Sequence, residues 1–104
     1  MGACEFQVNV SETGDATIVA LFGELDVASS QGLSDDLVGL IENGTTDLVI
    51  DLAKLAFIDS TGLSAILRAN RKLEKGHLVL REPSPMVRQV LEITGLTGAL
   101  RIEP

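Results

Sequence analysis

The 104-residue chain has 45% hydrophobic and 22% charged residues, an ordinary globular composition, and it is too short to bury two separate cores. We therefore expect a single domain over residues 1–104. Cys4 and His77 are the only cysteine and histidine, which excludes an internal disulfide and any cysteine-based metal cluster. No metal or cofactor is predicted.

The net charge of −7 is unevenly distributed along the chain. Through Ser60 there are eleven acidic residues and one basic residue, whereas the remainder has four acids and seven bases. Nucleic-acid binding is disfavoured, because the chain is acidic overall and lacks the Trp and Tyr side chains that stack on bases. No apolar run is long enough for a membrane span and no leader pattern follows Met1, so we expect a cytoplasmic protein without membrane contact.

The first predicted elements form a hairpin. Phe6, Val8 and Val10 alternate with polar residues, which favours a half-buried strand, and a turn follows at residues 12–15. Thr17 to Phe22 supplies a second strand. Because the connection is short, the two strands are predicted to be antiparallel neighbours.

Helices and strands alternate over the rest of the chain. An apolar spacing of three and four residues predicts a helix that stops at Asn43-Gly44, before a buried strand over Asp47 to Leu52. A second helix is predicted from about Ser60 to Lys75, followed by a strand at residues 78–80. Ser84 is predicted to cap a third helix with Pro85 in its first turn, Gly95 to end it with Leu96 folding back, and residues 100–102 to close the fold.

This element order predicts an α/β fold with a mixed sheet of four to five strands and right-handed crossovers, the helices packing mainly on one face. The second and third strands would be parallel. The segments after them, which carry Glu24 and Asp26 in one case and Asp59 and Ser60 in the other, would then emerge at the same edge. Binding sites concentrate at the carboxyl ends of parallel strands.

Ser60 and Thr61 lie at the predicted start of the second helix, where backbone N–H groups lack partners. Ser60 can therefore either cap the helix or present its hydroxyl to another protein. An anion added to that hydroxyl would meet the positive end of the helix dipole. The corner is a candidate phosphorylation switch.

Three segments together give a resemblance over nearly the whole chain. They are residues 23–26 before the first helix, residues 57–63 before the second, and residues 83–85 with 94–96 around the third. In this order and spacing they resemble the STAS family, and within it the bacterial anti-sigma factor antagonists.

The resemblance implies a non-enzymatic protein that binds an anti-sigma factor with serine kinase activity and so releases a sigma factor. It implies that the kinase phosphorylates Ser60, which switches binding off, and that a metal-dependent serine phosphatase restores the protein. The predicted partner surface is the edge formed by residues 24–28 and 56–62 with the exposed side of the second helix, because the strands before these segments are predicted to be parallel. Its partner-binding residues are Glu24, Asp26, Asp59, Ser60, Thr61 and Gly62. Asp26 and Asp59 are also consistent with a purely structural role, as acceptors for loop N–H groups.

Two other functions are considered. A constitutive STAS interaction subunit of a larger signalling or transport assembly would have the same fold but would not need a phosphorylatable hydroxyl at position 60. A small serine hydrolase would need a base and an oxyanion hole beside Ser60, but the Gly-x-Ser-x-Gly elbow is absent and His77 is the only histidine. The residues do not decide between monomer and dimer.

Overall fold

A computed structural model describes residues 5–73, 76–95 and 100–103. These residues form strands β1 (Gln7–Thr13), β2 (Ala16–Leu25), β3 (Asp47–Ile58), β4 (His77–Arg81) and β5 (Arg101–Glu103). They also form helices α1 (Val27–Glu42), α2 (Ser60–Lys72) and α3 (Pro85–Ile93). Cys4 and Leu96 lie outside the described residues, so the predicted fold-back of Leu96 is not addressed.

The strands form one five-stranded sheet in the order β1-β2-β3-β4-β5. β1 pairs antiparallel with β2 through a turn in which Gly14 has a φ of 60°. The remaining neighbours pair in parallel. The predicted mixed α/β sheet with an amino-terminal hairpin is confirmed.

β2 and β3 both run further than predicted. The strands were expected to end at Phe22 and Leu52, but they continue together to Leu25 and Ile58. Two register shifts interrupt their pairing, and Gly23 takes a φ of 86°. In the last part of β3, buried side chains then recur at every third residue, at Leu52, Leu55 and Ile58, a spacing that differs from the period of two in a regular strand.

The core lies where the apolar face of the sheet meets the helices. Side chains at alternate positions of the strands are fully buried, including Val19 and Leu21 of β2 and Ile50 and Leu52 of β3. The helices add to the same cluster Leu33, Leu37, Leu63, Ile66, Val87 and Leu91. Each such burial contributes about 1.5–3 kcal/mol relative to exposure. α1 and α2 pack against each other, as neighbouring right-handed crossovers require, and α3 packs against β3.

The predicted helix termini are largely confirmed. Asn43 is the C-cap of α1 and is followed by Gly44 at a φ of 105°. Ser84 caps α3, and Gly95 has a φ of 75° after that helix. The second helix ends earlier than predicted, at Lys72 rather than Lys75. Leu73 leaves the helical conformation and is buried in the core. Lys75 lies outside the described residues.

Candidate functional site

Two helix starts lie side by side at the carboxyl edge of β2 and β3. Leu25 and Ile58, the last residues of these parallel strands, are paired, and the Asp59 N–H donates to the Leu25 carbonyl at 3.2 Å. Asp26 and Asp59 are the next residues along each strand. The structure therefore brings the two predicted acidic segments together at one edge, as the sequence indicated.

Asp26 caps α1. Its carboxylate accepts the Ala28 N–H at 3.0 Å, and its own N–H donates to the Ser29 hydroxyl at 3.1 Å. The Ser29 hydroxyl also donates to the carbonyl of Glu24 at 3.3 Å, which ties the end of β2 to the first turn of the helix. Ser29 was not predicted, although its position three residues after Asp26 is the signal of a capping box.

Asp59 caps α2 with a denser set of bonds. One carboxylate oxygen accepts the N–H groups of Thr61 and Gly62, at 3.0 and 3.1 Å, and also the Thr61 hydroxyl. The Thr61 hydroxyl, followed by the two N–H groups, lowers the pKa of the Asp59 carboxyl, while desolvation opposes the shift. Asp59 is therefore ionised at neutral pH, and its structural role is clear.

Ser60 is the first residue of α2, and it is exposed. The capping bonds of this helix go to Asp59, so the alternative in which Ser60 caps the helix is wrong. Its hydroxyl is thus free of the capping network. It lies on the first turn of a helix, where the dipole favours negative charge.

Gly62 fixes how closely α2 approaches β2. A Cβ at this position would lie 2.6 Å from Cγ of Leu25 and 3.1 Å from Cγ1 of Ile58. Gly62 is buried and its N–H is bonded to Asp59. Gly62 therefore positions the first turn of α2, which carries Ser60 and Thr61.

Two exposed apolar side chains adjoin these helix starts. Val27, directly after Asp26, is 72% exposed, and Phe57, two residues before Asp59, is 38% exposed. Phe57 pairs with Glu24 in the register of β2 and β3. Both lie within the predicted surface segments, residues 24–28 and 56–62, although neither was singled out as a partner-binding residue. For Val27, the available signal was an apolar residue immediately after a cap and off the helix's buried stripe.

A small groove of about 190 Å³ lies between α1 and α2, near the starts of both helices. It is lined by Ser30, Gln31, Ser34, Thr61, Ser64, Ala65 and Arg68. The predicted residue Thr61 belongs to it. Because residues of both helices line this groove, it connects the exposed side of α2 to α1.

Within residues 5–73, 76–95 and 100–103, no group of three or more acidic, histidine or cysteine side chains is arranged to hold a metal ion. None of the helices in this part of the chain is long and apolar enough to cross a membrane.

Comparison with known families identifies this arrangement. The sequence model of the STAS domain family matches residues 7–104 of this chain. The chain belongs to the STAS family. Similar curated STAS proteins include the anti-sigma F factor antagonist of Lysinibacillus sphaericus, 34% identical over 81% of this chain and 74% of that protein. The anti-sigma-B factor antagonist of Bacillus subtilis is 34% identical over 91% of this chain and 88% of that protein.

Solved STAS structures agree. The unphosphorylated anti-sigma factor antagonist SpoIIAA is 31% identical, with a TM-score of 0.80 over 96% of this chain and 88% of that chain. The phosphorylated form of Bacillus SpoIIAA is 30% identical, with a TM-score of 0.72 over 96% of this chain and 91% of that chain. The predicted family and fold are confirmed.

Proposed function

We propose that this single STAS domain is a cytoplasmic anti-sigma factor antagonist, without catalysis of its own, which binds an anti-sigma factor that is a serine kinase and thereby releases a sigma factor. Phosphorylation of Ser60 by that kinase switches binding off, and a serine phosphatase restores it. The observation that carries the proposal is the Ser60 hydroxyl, exposed on the first turn of α2 and left out of the capping bonds.

The residues around Ser60 suit a protein interface. Exposed Val27 and Phe57 supply apolar contact area next to Glu24 and Asp26, and no rearrangement is needed to present them. The relatives of matching length are anti-sigma factor antagonists by name, and SpoIIAA is known in both phosphorylated and unphosphorylated forms. These similarities support the assignment of the partner class and of a switch by phosphorylation.

Physical chemistry explains why a phosphate here would release the partner without unfolding the domain. It adds about −1.5 to −2 charges and three acceptor oxygens. The dipole of α2 offsets part of this within the domain, by about 0.3–1 kcal/mol. A partner surface shaped for a neutral hydroxyl gives no such compensation, and burying an unpaired charge there costs several kcal/mol. Each 1.4 kcal/mol is about tenfold in affinity.

The test uses the serine-kinase anti-sigma factor that a pull-down with this protein identifies. The protein is incubated with that kinase and ATP, and the phosphate is located by mass spectrometry. We expect one phosphate, on Ser60. Ser60→Ala should remain unmodified and stay bound to the kinase, whereas Ser64→Ala, one turn along the same helix, should be phosphorylated like the wild type.

Two outcomes would contradict the proposal. Phosphate on Thr61 or Ser64 with Ser60 unmodified would refute the assigned residue. Tight binding without any phosphorylation would instead favour the constitutive interaction subunit.

The structure argues against the hydrolase alternative. His77 begins β4 and pairs with Asp47 at the start of β3, whereas Ser60 follows the far end of β3. At about 3.3 Å per strand residue, the length of β3 puts roughly 35 Å between the two ends. His77 therefore cannot act as the base for Ser60 in this fold, and incubation with a model ester should give no turnover.

A further inference from the structure

A second groove lies behind the predicted partner surface, between the start of β1, the end of β2 and the first turns of α1. It has a volume of about 580 Å³. Phe6, Val8 and Leu33 supply its apolar lining, and Leu33 is a core residue while the other two pack half-buried against the core. Pockets of about 300–1,000 Å³ with mainly apolar linings are typical of sites that enclose a ligand group.

The rim of this groove carries charge of one sign. Four carboxylates line it, those of Glu5, Glu24, Asp26 and Asp36, and no lysine, arginine or histidine of the described residues does. A cleft lined by one sign of charge concentrates ions of the opposite sign. An apolar floor beneath an acidic rim fits an apolar side chain that lies beside a cation.

Gly32 keeps the groove open on the side of α1. Glycine is unfavourable inside a helix, and a Cβ at position 32 would have no atom within 4 Å, so packing does not require glycine here. Gly32 lines the groove. Gly39 lies two turns further along the same helix, also has free space for a Cβ, and does not line the groove. The two glycines therefore form a matched pair.

The groove is continuous with the surface proposed above, because Glu24 and Asp26 belong to both. We propose that it is a second docking pocket for the anti-sigma factor, and that it takes a basic segment of that partner in which a large apolar side chain lies next to a lysine or arginine. This inference rests on the proposed function for the identity of the partner.

The first experiment fills the groove. Gly32→Leu should weaken binding of the kinase partner about tenfold or more, since an excluded apolar side chain loses its burial, while Gly39→Leu should bind like the wild type. Affinities are measured by titration calorimetry, and thermal unfolding checks that both variants are folded. Equal affinities of Gly32→Leu and Gly39→Leu would overturn the proposal.

The second experiment reverses a charge on the rim. Asp36 lines the groove, whereas its neighbour Asp35 does not and instead accepts a hydrogen bond from Gln31. Both carboxylates are exposed on α1. Asp36→Lys should weaken binding severalfold more than Asp35→Lys, which reports only the change in net charge. Equal losses of affinity for the two variants would show that the groove does not bind a cation of the partner, which would contradict the proposal.

A third measurement needs no partner protein. Amide chemical shifts are followed while the isolated protein is titrated with acetyl-Leu-Arg-amide or, as a charge control, acetyl-Leu-Glu-amide. The arginine peptide should shift Phe6, Val8 and Gly32, and Gly32→Leu should abolish these shifts. Equal shifts with the glutamate peptide, or none with either, would overturn the docking chemistry. Should no anti-sigma factor bind the wild type, the proposed function fails, while this titration still decides the chemistry of the groove.

Discussion

The starts of α1 and α2 are built from the same parts but present different groups to solvent. Each follows a parallel strand and each begins with an aspartate cap. At α1 the cap exchanges bonds with the Ser29 hydroxyl, and the next residue is the exposed, apolar Val27. At α2 the cap takes up the Thr61 hydroxyl, and the next residue is Ser60, whose hydroxyl the cap does not use.

The difference shows that the same kind of aspartate cap can hold either an apolar side chain or a hydroxyl at the surface. α1 presents an apolar contact beside an acidic cap, which suits constant recognition. α2 presents an exposed hydroxyl on a turn whose shape is already fixed by Asp59 and by the close contact of Gly62 with Leu25. A charge change at α2 can then alter binding while the fold that holds α1 stays intact.

The largest expected effect is on partner affinity. Ser60→Asp should weaken binding by about a hundredfold or more, because it places an unpaired charge in the interface. Its unfolding free energy should change by less than about 1 kcal/mol, since an acid on the first turn of a helix suits the dipole. Ser11→Asp, on exposed β1, is the control for net charge and should bind normally. Wild-type affinity for Ser60→Asp in a calorimetric titration would break the comparison.

The next effect is on stability. Gly62→Ala should cost about 1–3 kcal/mol, because its Cβ would overlap Leu25 and α2 must shift. Gly32→Ala, where the Cβ meets open space in α1, should instead gain about 0.5–1 kcal/mol from helix propensity. Urea unfolding measures both. A gain at both positions would show that α2 is not held against β2 as described.

The smallest expected effect is the difference in stability lost when each of the two capping aspartates is replaced. Asp59→Ala and Asp26→Ala should each cost about 0.5–2 kcal/mol, with Asp59→Ala the more damaging because Asp59 serves two N–H groups and a hydroxyl. Equal losses in urea unfolding would mean that the denser bonding at α2 adds nothing.

The cap of α2 should also depend on pH. The folded-state pKa of Asp59 lies below its ordinary value of 3.8, so its contribution is fully present above pH 3.8 and is lost as the pH falls through the folded pKa. The stability difference between the wild type and Asp59→Asn should therefore shrink in acid. A difference that stays constant from neutral pH to well below 3.8 would contradict the bonding seen here.

Much of the fold could be predicted because it depends on local signals. A short turn at Gly14 gave the antiparallel hairpin, and the apolar spacing of Leu33 and Leu37 gave α1. The ends of β2 and β3 could not be predicted in the same way. There, register shifts bury Leu52, Leu55 and Ile58 at intervals of three, and this spacing arises only when both strands are paired.

The position of the candidate site could be predicted from the sequence, but the residue that caps α2 could not. Asp59 and Ser60 are both good capping residues, so the sequence left the cap open; backbone geometry at the end of β3 assigns it to Asp59. The predicted surface segments, residues 24–28 and 56–62, contain the exposed side chains of Val27 and Phe57. Val27 carried a local signal, since it directly follows a cap, but the exposure of Phe57 depends on how two strand ends and two helices come together.

β3 passes into α2 through one residue, Asp59, with no loop between them. Ser60 therefore moves only as far as the sheet and the helix move. A phosphoryl group at Ser60 would have no hinge to drive and no segment to order, so it would act at the moment its bond forms. Signalling speed would then be set by the catalytic turnover of kinase and phosphatase and by the lifetime of the complex, with no slow relaxation of this protein adding delay.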